Sequence, residues 1–527
     1  MTQFRIQLIH AFILFSISMM ASSPDSLVQK EDLSFHSNLE KIAFESIKSE
    51  KGPNLIYLLV AIDEKCDADK LNGIRREVAE LSDQYKNNSK FIKLKEEKKI
   101  KKIYADIQAK YLNKFGQEYY FSNIISDGIY NSVSAAALFG LLLNDLQIPY
   151  VINYSYDQVS ILAYPQNLKI PLTFGDPAKE NAQFDEQTKQ QFVDYMAEAG
   201  EISQSDKNKK SVDELFNEIY YKEAGINLTG LAGLQYYKRA VDLMNYEQYE
   251  EAFILAEKSY YLYPSNDAGY LLLICLANAL IDCKYEDIHF ADYIYKGARY
   301  KNYGISNEDV ISQFADVTNV LLINENNTTL YDAYYNRIIK HLTDSTQIRE
   351  VSFTYNYERG RVLIIKDEYM ASVEYLEKAY NLKPKNVDAL NMFLAAVMQS
   401  FWQLKTPEEA LHSINQYAEK YPAFTEDTEF NTMRGALLLA MSLHGFEMDQ
   451  SQEAFDKIAD FEALAGSKKL NSDNLIFSDL VEEVYSRAAS YYYRKSNMKQ
   501  AKNYLERGLT YAPNSYKLKS KVNSLKY

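Results

Sequence analysis

The sequence predicts a mainly α-helical protein, with a small α+β domain in its first half and a C-terminal α-solenoid. Proline and glycine, which interrupt helices most strongly, number only 11 and 18 among 527 residues. Residues 103–184 place one apolar helix beside short strand-like runs, and the chain beyond residue 230 repeats a helix-pair pattern. The predicted order is a signal peptide (1–23), an N-terminal helical region (24–102), the α+β domain (103–184), a helical linker (185–229) and the solenoid (230–527).

The composition is that of a globular protein with an acidic balance. Hydrophobic residues make up 47% and charged residues 25%, and 58 basic against 72 acidic residues give a net charge of −14. This charge removes the global attraction to phosphate on which nucleic-acid binding usually relies, so we expect no nucleic-acid partner. The basic segment 90–110 interleaves lysines with apolar residues, which favours a solvated helix face over a nucleic-acid patch.

The first residues have the pattern of a cleaved export signal. Arg5 precedes an apolar run at residues 8–20, and small residues follow at 21–23. A membrane anchor is the alternative, but the run falls short of the ~18 residues that span a bilayer. We therefore expect an exported protein, in the periplasm or at the cell surface, with no membrane span after cleavage.

The three cysteines, Cys66, Cys275 and Cys283, do not form a disulfide framework, because an odd count leaves at least one thiol free. Cys275 and Cys283 could meet across a helix turn. The favoured interpretation is that all three are small buried residues.

The N-terminal region is predicted to be helical. Helices are expected at 53–62 and 71–81, and between them the acidic run 63–69 lacks the glycine and closing glutamate of a calcium loop. We interpret that run as a solvated turn. An earlier helical pattern, in residues 24–50, consists of Leu33, Leu39, Ile42, Phe44 and Ile47.

The stretch 128–150 is the centre of the α+β domain. Asp127 and Gly128 signal a turn, and either Asn131 or Ser132 can cap the helix that follows. Pro149 is predicted to end that helix. Its apolar face comprises Ala135, Leu138, Leu142 and Leu146. Short apolar runs at 150–154, 158–164 and 168–174 are predicted strands, and residues 203–210 further on are a predicted flexible stretch.

Beyond residue 230, a frame of small residues with a closing proline recurs three times. Its members are Ala240, Tyr249, Ala252, Ala256, Ser259 and Pro264; Gly360, Tyr369, Ser372, Leu376, Ala379 and Pro384; and Ala489, Tyr492, Ala501, Leu505, Gly508 and Pro513. Degenerate helix pairs are predicted at 267–282 with 287–298, 387–402 with 407–420, and 430–444 with 452–464. A generic helical bundle would not repeat small residues together with the proline. The pattern resembles the tetratricopeptide repeat, a helix pair with a period of about 34 residues.

Residues 103 to about 180 resemble a bacterial transglutaminase-like domain, a papain-type fold often joined to tetratricopeptide repeats. The resemblance lies in the helix that begins Tyr130-Asn-Ser-Val-Ser-Ala, in the exit Gln147-Ile-Pro-Tyr150, in the strand at 159–165 and in Asp176-Pro177. In that family a cysteine nucleophile follows the asparagine, a histidine heads the next strand, and an acidic residue on the following strand orients the histidine. The resemblance implies an α+β fold with its catalytic centre at the start of the helix.

The catalytic residues of that family are not kept in this chain. The corresponding positions are Ser132, Gln158 and Thr173, while Asp176 matches the family's loop aspartate rather than the orienting acid. The chain has no histidine between residues 37 and 288 and no cysteine between 67 and 274. The resemblance therefore implies a degenerate domain without catalysis.

One catalytic alternative remains open from the residues alone. A serine hydroxyl needs a positioned general base, and a Ser-Lys arrangement with Lys169 or Lys179 could supply one. Ser132 would then be the nucleophile of a hydrolase or an acyltransferase. Lysines in such polar surroundings are usually solvated, so the non-catalytic interpretation is favoured.

The sequence contains no metal-ligand cluster and no nucleotide-binding glycine pattern, so we expect no metal and no cofactor. A solenoid of helix pairs presents a long groove to peptides or proteins, which predicts a binding or scaffold protein of the bacterial cell envelope. Tyrosines suit such an interface, although they could equally pack between helices. The candidate binding residues are Tyr236, Tyr237, Tyr260, Tyr261, Tyr491 and Tyr493. The oligomeric state is left open.

Overall fold

The computed structural model describes residues 27–50, 52–116, 120–155, 158–176, 186–198, 202–220, 224–281, 283–404 and 406–525. The fold is mainly helical, as predicted, and its described strands form one four-stranded sheet and one two-stranded pair. Two compact units can be distinguished: Met1–Gln313 with Lys340–Leu342, and Phe314–Ile339 with Thr343–Tyr527. The predicted signal peptide lies outside the described residues. Within the described part of the chain, no helix is both long and apolar enough to cross a membrane.

The N-terminal region consists of short helices, as predicted. Its helices are α1 (Asn38–Glu45), α2 (Leu55–Val60), α3 (Ala68–Lys86), α4 (Ser89–Ile92), α5 (Glu96–Tyr111) and α6 (Phe121–Ser126). Asp67 caps α3 by accepting a 2.8 Å hydrogen bond from Lys70 N. Helix α5 buries Ile100, Ile103 and Ile107 while most of its lysines are exposed, which confirms the solvated helix face.

Helix α7 (Ser132–Asp145) lies against a four-stranded antiparallel sheet in the order β5-β4-β3-β6. The strands are β3 (Tyr150–Tyr154), β4 (Val159–Ala163), β5 (Ile170–Thr173) and β6 (Ala224–Ile226), and a separate two-residue parallel pair joins β1 (Lys114–Phe115) to β2 (Ile129–Tyr130). The three predicted strands are confirmed, whereas β6 was not predicted. Residues 132–143 of α7 are all buried, so this helix forms the centre of the core rather than an amphipathic surface.

The two ends of α7 correct two predictions. The Asn131 side chain accepts a 2.9 Å hydrogen bond from Ser134 N, and Ser134 Oγ accepts one of 3.0 Å from Asn131 N. Asn131 is therefore the cap, and Ser132 is the first helical residue. At the other end, Gln147 adopts a left-handed conformation with φ 54°, and Ile148 N donates to Leu143 O. The helix thus ends in a left-handed turn before it reaches Pro149.

Three short helices between β5 and β6 have an apolar core of their own. They are α8 (Glu186–Glu198), α9 (Gln204–Lys207) and α10 (Val212–Tyr220), and their cluster contains Val193, Met196, Ile202, Leu215 and Phe216. The stretch that was predicted to be flexible contains α9. Because β5 and β6 are opposite edges of the sheet, this segment connects one edge to the other.

The rest of the described chain is helical. The helices are α11 (Leu228–Asn245), α12 (Tyr249–Leu262), α13 (Asn266–Ile281), α14 (Phe290–Gly297), α15 (Asn307–Val317), a π-helical turn (Thr318–Asn324), α16 (Thr328–His341), α17 (Ser345–Ile365), α18 (Tyr369–Leu382), α19 (Val387–Ser400), α20 (Pro407–Lys420), α21 (Thr428–Glu447), α22 (Ser451–Ser467), α23 (Leu475–Arg494), α24 (Met498–Tyr511) and α25 (Tyr516–Ser524). Each half of the predicted helix pairs contains a helix. The predicted domain boundary near residue 230 falls inside the first unit. In that unit, Gln235 Oε1 accepts a hydrogen bond from Phe121 N, and Gln235 Nε2 donates one to Leu59 O.

Four helical hairpins share one turn geometry. The hairpins α11/α12, α17/α18, α21/α22 and α23/α24 each turn through one left-handed residue, and these residues are Glu247, Asp367, Asp449 and Ser496, with φ between 59° and 61°. Around each turn, two small buried residues occupy the helix crossing at the same offsets: Ala240 with Ala252, Gly360 with Ser372, Ser442 with Ala454, and Ala489 with Ala501. The α21/α22 pair, predicted as degenerate, therefore keeps the same close approach of its helices.

Candidate functional site

Ser132 lies in the first turn of α7 and is only 4% exposed. Its neighbours Asn131 and Ser134 are also buried. In the helix cap, the side chain of each accepts a hydrogen bond from the backbone N–H of the other. A nucleophilic hydroxyl must be reached by both its substrate and a general base. The local structure therefore gives Ser132 a packed environment rather than an open one.

Strand alternation places the predicted histidine and acid positions on the wrong face of the sheet. In β4, the alternate residues Val159, Ile161 and Ala163 are buried in the core that contains α7, and the residues between them face away. Gln158 comes one residue before Val159, so it falls on the side that faces away. Thr173 is exposed and pairs with Ser160, which is on that same side. Gln158 and Thr173 are therefore not the residues that face α7.

The residues that do face the helix are apolar. Val159 is fully buried, and it lies opposite Phe174, one residue beyond the Ser160–Thr173 pair; Phe174 is 2% exposed. The residue beside Gln158 is Gly175, since a Cβ on Gly175 would lie 3.2 Å from Gln158 Oε1. Thr173 is therefore not the residue of this strand that adjoins Gln158.

Phe174 belongs to a cluster of aromatic rings. Its ring centroid lies 4.9 Å from that of Phe139 in α7 and 6.5 Å from that of Tyr104 in α5. The Tyr104 hydroxyl donates to the backbone carbonyl of Thr173 at 3.4 Å. Helix α5 thus covers the end of β5, and packed hydrophobic side chains fill the space between this end of the strand and α7.

Lys169, one of the two lysines that were proposed as bases, is not brought to Ser132. Lys169 is exposed and immediately precedes β5. Ile170, the first residue of β5, pairs with Ala163 of β4, and Ala163 pairs with Tyr150 of β3. That end of the sheet adjoins the C-terminus of α7, and Ser132 is at its N-terminus, roughly 20 Å away along a 14-residue helix. Lys179 lies outside the described residues.

A substitution at Ser132 tests this description directly. In Ser132→Cys, we expect the thiol to titrate at or above its ordinary pKa of ~8.5, because burial opposes the thiolate and no imidazole is available nearby in the sequence. The measurement is the thiolate absorbance at 240 nm as a function of pH, taken as the difference from the parent protein. A new thiol with a pKa about two units lower would show that the site still activates a nucleophile.

Four of the six candidate tyrosines lie on the first hairpin, and two of these are buried. Tyr236 is 0% exposed and Tyr260 is 4% exposed, so these two follow the alternative that the sequence left open, in which the tyrosines pack between helices. Tyr237 and Tyr261 are half-buried. The surface predicted for a partner is occupied at this hairpin by other parts of the chain.

The occupant is the N-terminal helix α1. The Glu40 side chain, 0% exposed, accepts a 2.8 Å hydrogen bond from the Tyr236 hydroxyl and pairs with Lys258 Nζ at 2.7 Å. Burial alone would raise the pKa of Glu40, but hydrogen bonds from His36 and the charge of Lys258 hold it below its ordinary value. The Phe44 ring packs on Tyr236 at 5.8 Å. Helix α1 is thus fixed by a buried ion pair and an aromatic contact.

The two remaining tyrosines are on the last hairpin. Tyr491 is half-buried, with its ring 5.2 Å from Phe455 and Lys495 Nζ 4.2 Å above it. Tyr493 is 53% exposed and is the one candidate of the six that presents most of its side chain to solvent. Tyr493 therefore remains a candidate contact residue.

A carboxylate between stacked helices recurs in the second unit. At the last hairpin, Glu462 of α22 accepts from the Tyr485 hydroxyl at 2.8 Å and from Arg507 Nε at 2.8 Å. Tyr485 and Arg507 stand eleven residues before and after the turn residue Ser496, the same offsets that Tyr236 and Lys258 have from Glu247. At the first hairpin, helix α1 therefore supplies the carboxylate that α22 supplies at the last hairpin.

A similar contact occurs at α17. Asp332 of α16 accepts from the Tyr355 hydroxyl at 2.9 Å and pairs with Arg359 Nε at 3.2 Å. Thus a tyrosine and a basic residue together bind one carboxylate from the preceding helix at three of the four hairpins. Sequence reasoning missed the buried carboxylates Glu40, Asp332 and Glu462. The signal that could have revealed Glu40 is a charged residue on the apolar face of a helix, here beside Ala43 and Phe44.

The acidic run 63–69 and the cysteines complete the set of predicted sites. Asp63 is buried and accepts hydrogen bonds from Lys70 Nζ at 2.7 Å and from Ser122 Oγ, whereas Glu64, Asp67 and Asp69 of the same run are exposed. Cys66 and Cys275 are buried free thiols whose burial raises their pKa to about 11 and about 12. Across the described ranges, no three His, Cys, Asp or Glu side chains converge to hold a metal ion.

Comparison of the chain with protein-family models finds no match, and comparison with curated proteins finds none either. The functional conclusion therefore rests on the residues and their geometry.

Proposed function

We propose that this chain is a non-catalytic, exported binding or scaffold protein of a bacterial cell envelope, which uses its helical hairpins as the binding surface. The observation that carries the proposal is the series of hairpins with one turn geometry and one set of small crossing residues. Stacked helix pairs of this kind, similar to tetratricopeptide repeats, present extended surfaces to peptides and proteins.

The structure around Ser132 supports the non-catalytic part of the proposal. Ser132 is buried, Val159 and Phe174 occupy the neighbouring buried positions, and Lys169 lies toward the other end of α7. These features fit a transglutaminase-like domain that has kept its helix and strands and lost its chemistry. Export is supported by the charged and apolar pattern of residues 5–23.

Photo-crosslinking in the host cell tests the binding function. A photoreactive amino acid in place of Tyr493, on the last hairpin, should yield a discrete crosslinked protein that mass spectrometry identifies. The matched control replaces Lys98, which is exposed on α5 and distant in sequence from the hairpins, and should yield no such product. Labelling of Ser132 by a serine-reactive fluorophosphonate, abolished in Ser132→Ala, would instead establish a hydrolase and contradict the proposal.

A further inference from the structure

An N-terminal segment that contains α1, here named the strap (residues 27–48), packs on the first hairpin and on α14 through paired charges. Two of its acids have almost fully buried side chains. Asp32 pairs with Arg299, which follows α14, and Glu40 pairs with Lys258 of α12 at 2.7 Å. In both pairs the strap contributes the carboxylate and the surface beneath it contributes the cation.

The position that α1 occupies accepts helices of different origin. At the last hairpin, Glu462 is bound by a tyrosine and an arginine, as Glu40 is bound by Tyr236 and Lys258. Glu462 belongs to α22, a helix of the preceding hairpin. Glu40 belongs to no hairpin and precedes Tyr236 by 196 residues. The position therefore selects a helix by its acid rather than by its connection to the hairpin.

The link between the strap and the core is loosely packed at Gly52. Gly52 has a left-handed φ of 76°, and a Cβ there would meet no atom within 4 Å. Its backbone forms hydrogen bonds with Ser49, within the same turn. A glycine in open space changes its backbone conformation at little cost. The strap can therefore leave its position while α2, whose Leu58, Leu59 and Val60 are fully buried, stays in the core.

The contacts of the strap define what a competing segment must carry. Burial lowers the pKa of Lys258 from its ordinary value, although the Glu40 carboxylate opposes this effect. A buried ion pair gains little net stability, whereas a buried charge without a partner is strongly disfavoured. Lys258 therefore requires an acid, which need not be Glu40. One turn after Glu40, the Phe44 ring lies 5.8 Å from that of Tyr236 and 6.1 Å from that of Tyr261.

We propose that the surface formed by the first hairpin and α14 is a binding site for an acidic amphipathic helix of a partner protein, which replaces the strap. The partner helix carries a glutamate with an aromatic residue four positions later, the spacing of Glu40 and Phe44. A second acid precedes this glutamate and reaches Arg299, as Asp32 does. This site rests on the proposed binding function and names the class of segment that the first hairpin recognises.

Peptide binding to a full chain with a weakened strap tests the site. The chain carries Asp32→Asn with Glu40→Gln, and hydrogen exchange first establishes that α1 has opened while α12 remains protected. The probe is a fluorescent peptide with the native sequence of residues 27–48, and its binding is followed by fluorescence anisotropy. The peptide should bind the double variant saturably. The wild-type chain should bind it at least about tenfold more weakly, because the resident strap occupies the site.

Two altered peptides test the requirement for the buried acids. One carries Asp32→Asn with Glu40→Gln and should bind the double variant at least about thirtyfold more weakly than the native peptide, because it leaves buried cations without acids. The matched control carries Glu31→Gln with Glu45→Gln, which removes the same amount of charge from two exposed positions. Its affinity should stay within about fivefold of that of the native peptide.

Three results with the double variant would overturn the site. They are an α1 that stays protected, an open chain that binds no peptide, and equal binding of the native peptide and the peptide without Asp32 and Glu40. If the double variant instead forms dimers that the native peptide disperses, the occupant is a second copy of the chain and the partner helix is excluded.

A second chain keeps the test independent of the folding of the double variant. If α12 loses its protection there, the same peptides are applied to a chain with native residues 27–48 that is cut at a protease site inserted beside Gly52. The native peptide should displace the cut strap and the peptide without the two acids should not; failure of this displacement would overturn the site. Photo-crosslinking at Tyr493 tests the binding function separately, so either proposal can fail alone.

Discussion

Replacing Glu40 with glutamine is expected to release helix α1 from the first hairpin. The substitution leaves Lys258, which is 2% exposed, with a buried charge and no opposite charge beside it. Removing one partner of a buried ion pair usually costs about 3–5 kcal/mol. Because the chain has two compact units, a single unfolding transition is not a suitable measure, and local opening should be followed by hydrogen exchange.

The expected result is that the amides of α1 exchange roughly a hundred- to several thousand-fold faster in Glu40→Gln, the equivalent of about 3–5 kcal/mol at 1.36 kcal/mol per tenfold change. Glu45→Gln is the matched control, since Glu45 is on the same helix and exposed, and its exchange should be nearly unchanged. The double substitution Glu40→Leu with Lys258→Met should recover most of the protection. Unchanged exchange in Glu40→Gln would mean that the ion pair does not hold α1 in place.

Replacing Phe174 with alanine is expected to destabilise the sheet by about 3–5 kcal/mol, the usual cost of removing a large aromatic side chain from a core. The reason is the position of Phe174 between α5 and α7, where it contacts Tyr104 and Phe139. The amides of β4 report the loss in a hydrogen-exchange measurement.

Thr173→Ala is the control for this prediction, because Thr173 is adjacent in sequence but exposed on the other face of the sheet. Its effect should stay within about 0.5 kcal/mol. If the two substitutions had equal effects, the assignment of Phe174 rather than Thr173 to the helix-facing side would be wrong. The pair therefore also tests which side chain at the end of β5 belongs to the core.

Local pattern was sufficient to place most helices and strands correctly. The runs at 150–154, 158–164 and 168–174 became β3, β4 and β5 with shifts of one or two residues at their ends. The small residues of the repeat frame, such as Ala252 and Ser372, are buried at helix crossings as expected. These features depend on neighbours within a few positions, which periodicity and turn residues record directly.

The N-terminal segment shows where local pattern was insufficient. The apolar pattern included Ile42, which is 44% exposed, and omitted Glu40, which is fully buried. A charged residue becomes stable at such a position only when its partners, here Lys258 and Tyr236, arrive from far along the chain. No spacing within residues 24–50 contains that information.

The candidate site also combines features that the sequence determined with features that only the tertiary structure decided. The sequence by itself determined that residues 103–184 contain no histidine and no cysteine, since that can be read directly from the chain. Only the tertiary structure decided that Val159 and Phe174, rather than Gln158 and Thr173, face the helix, because a shift of one residue in a strand moves a side chain to the other face.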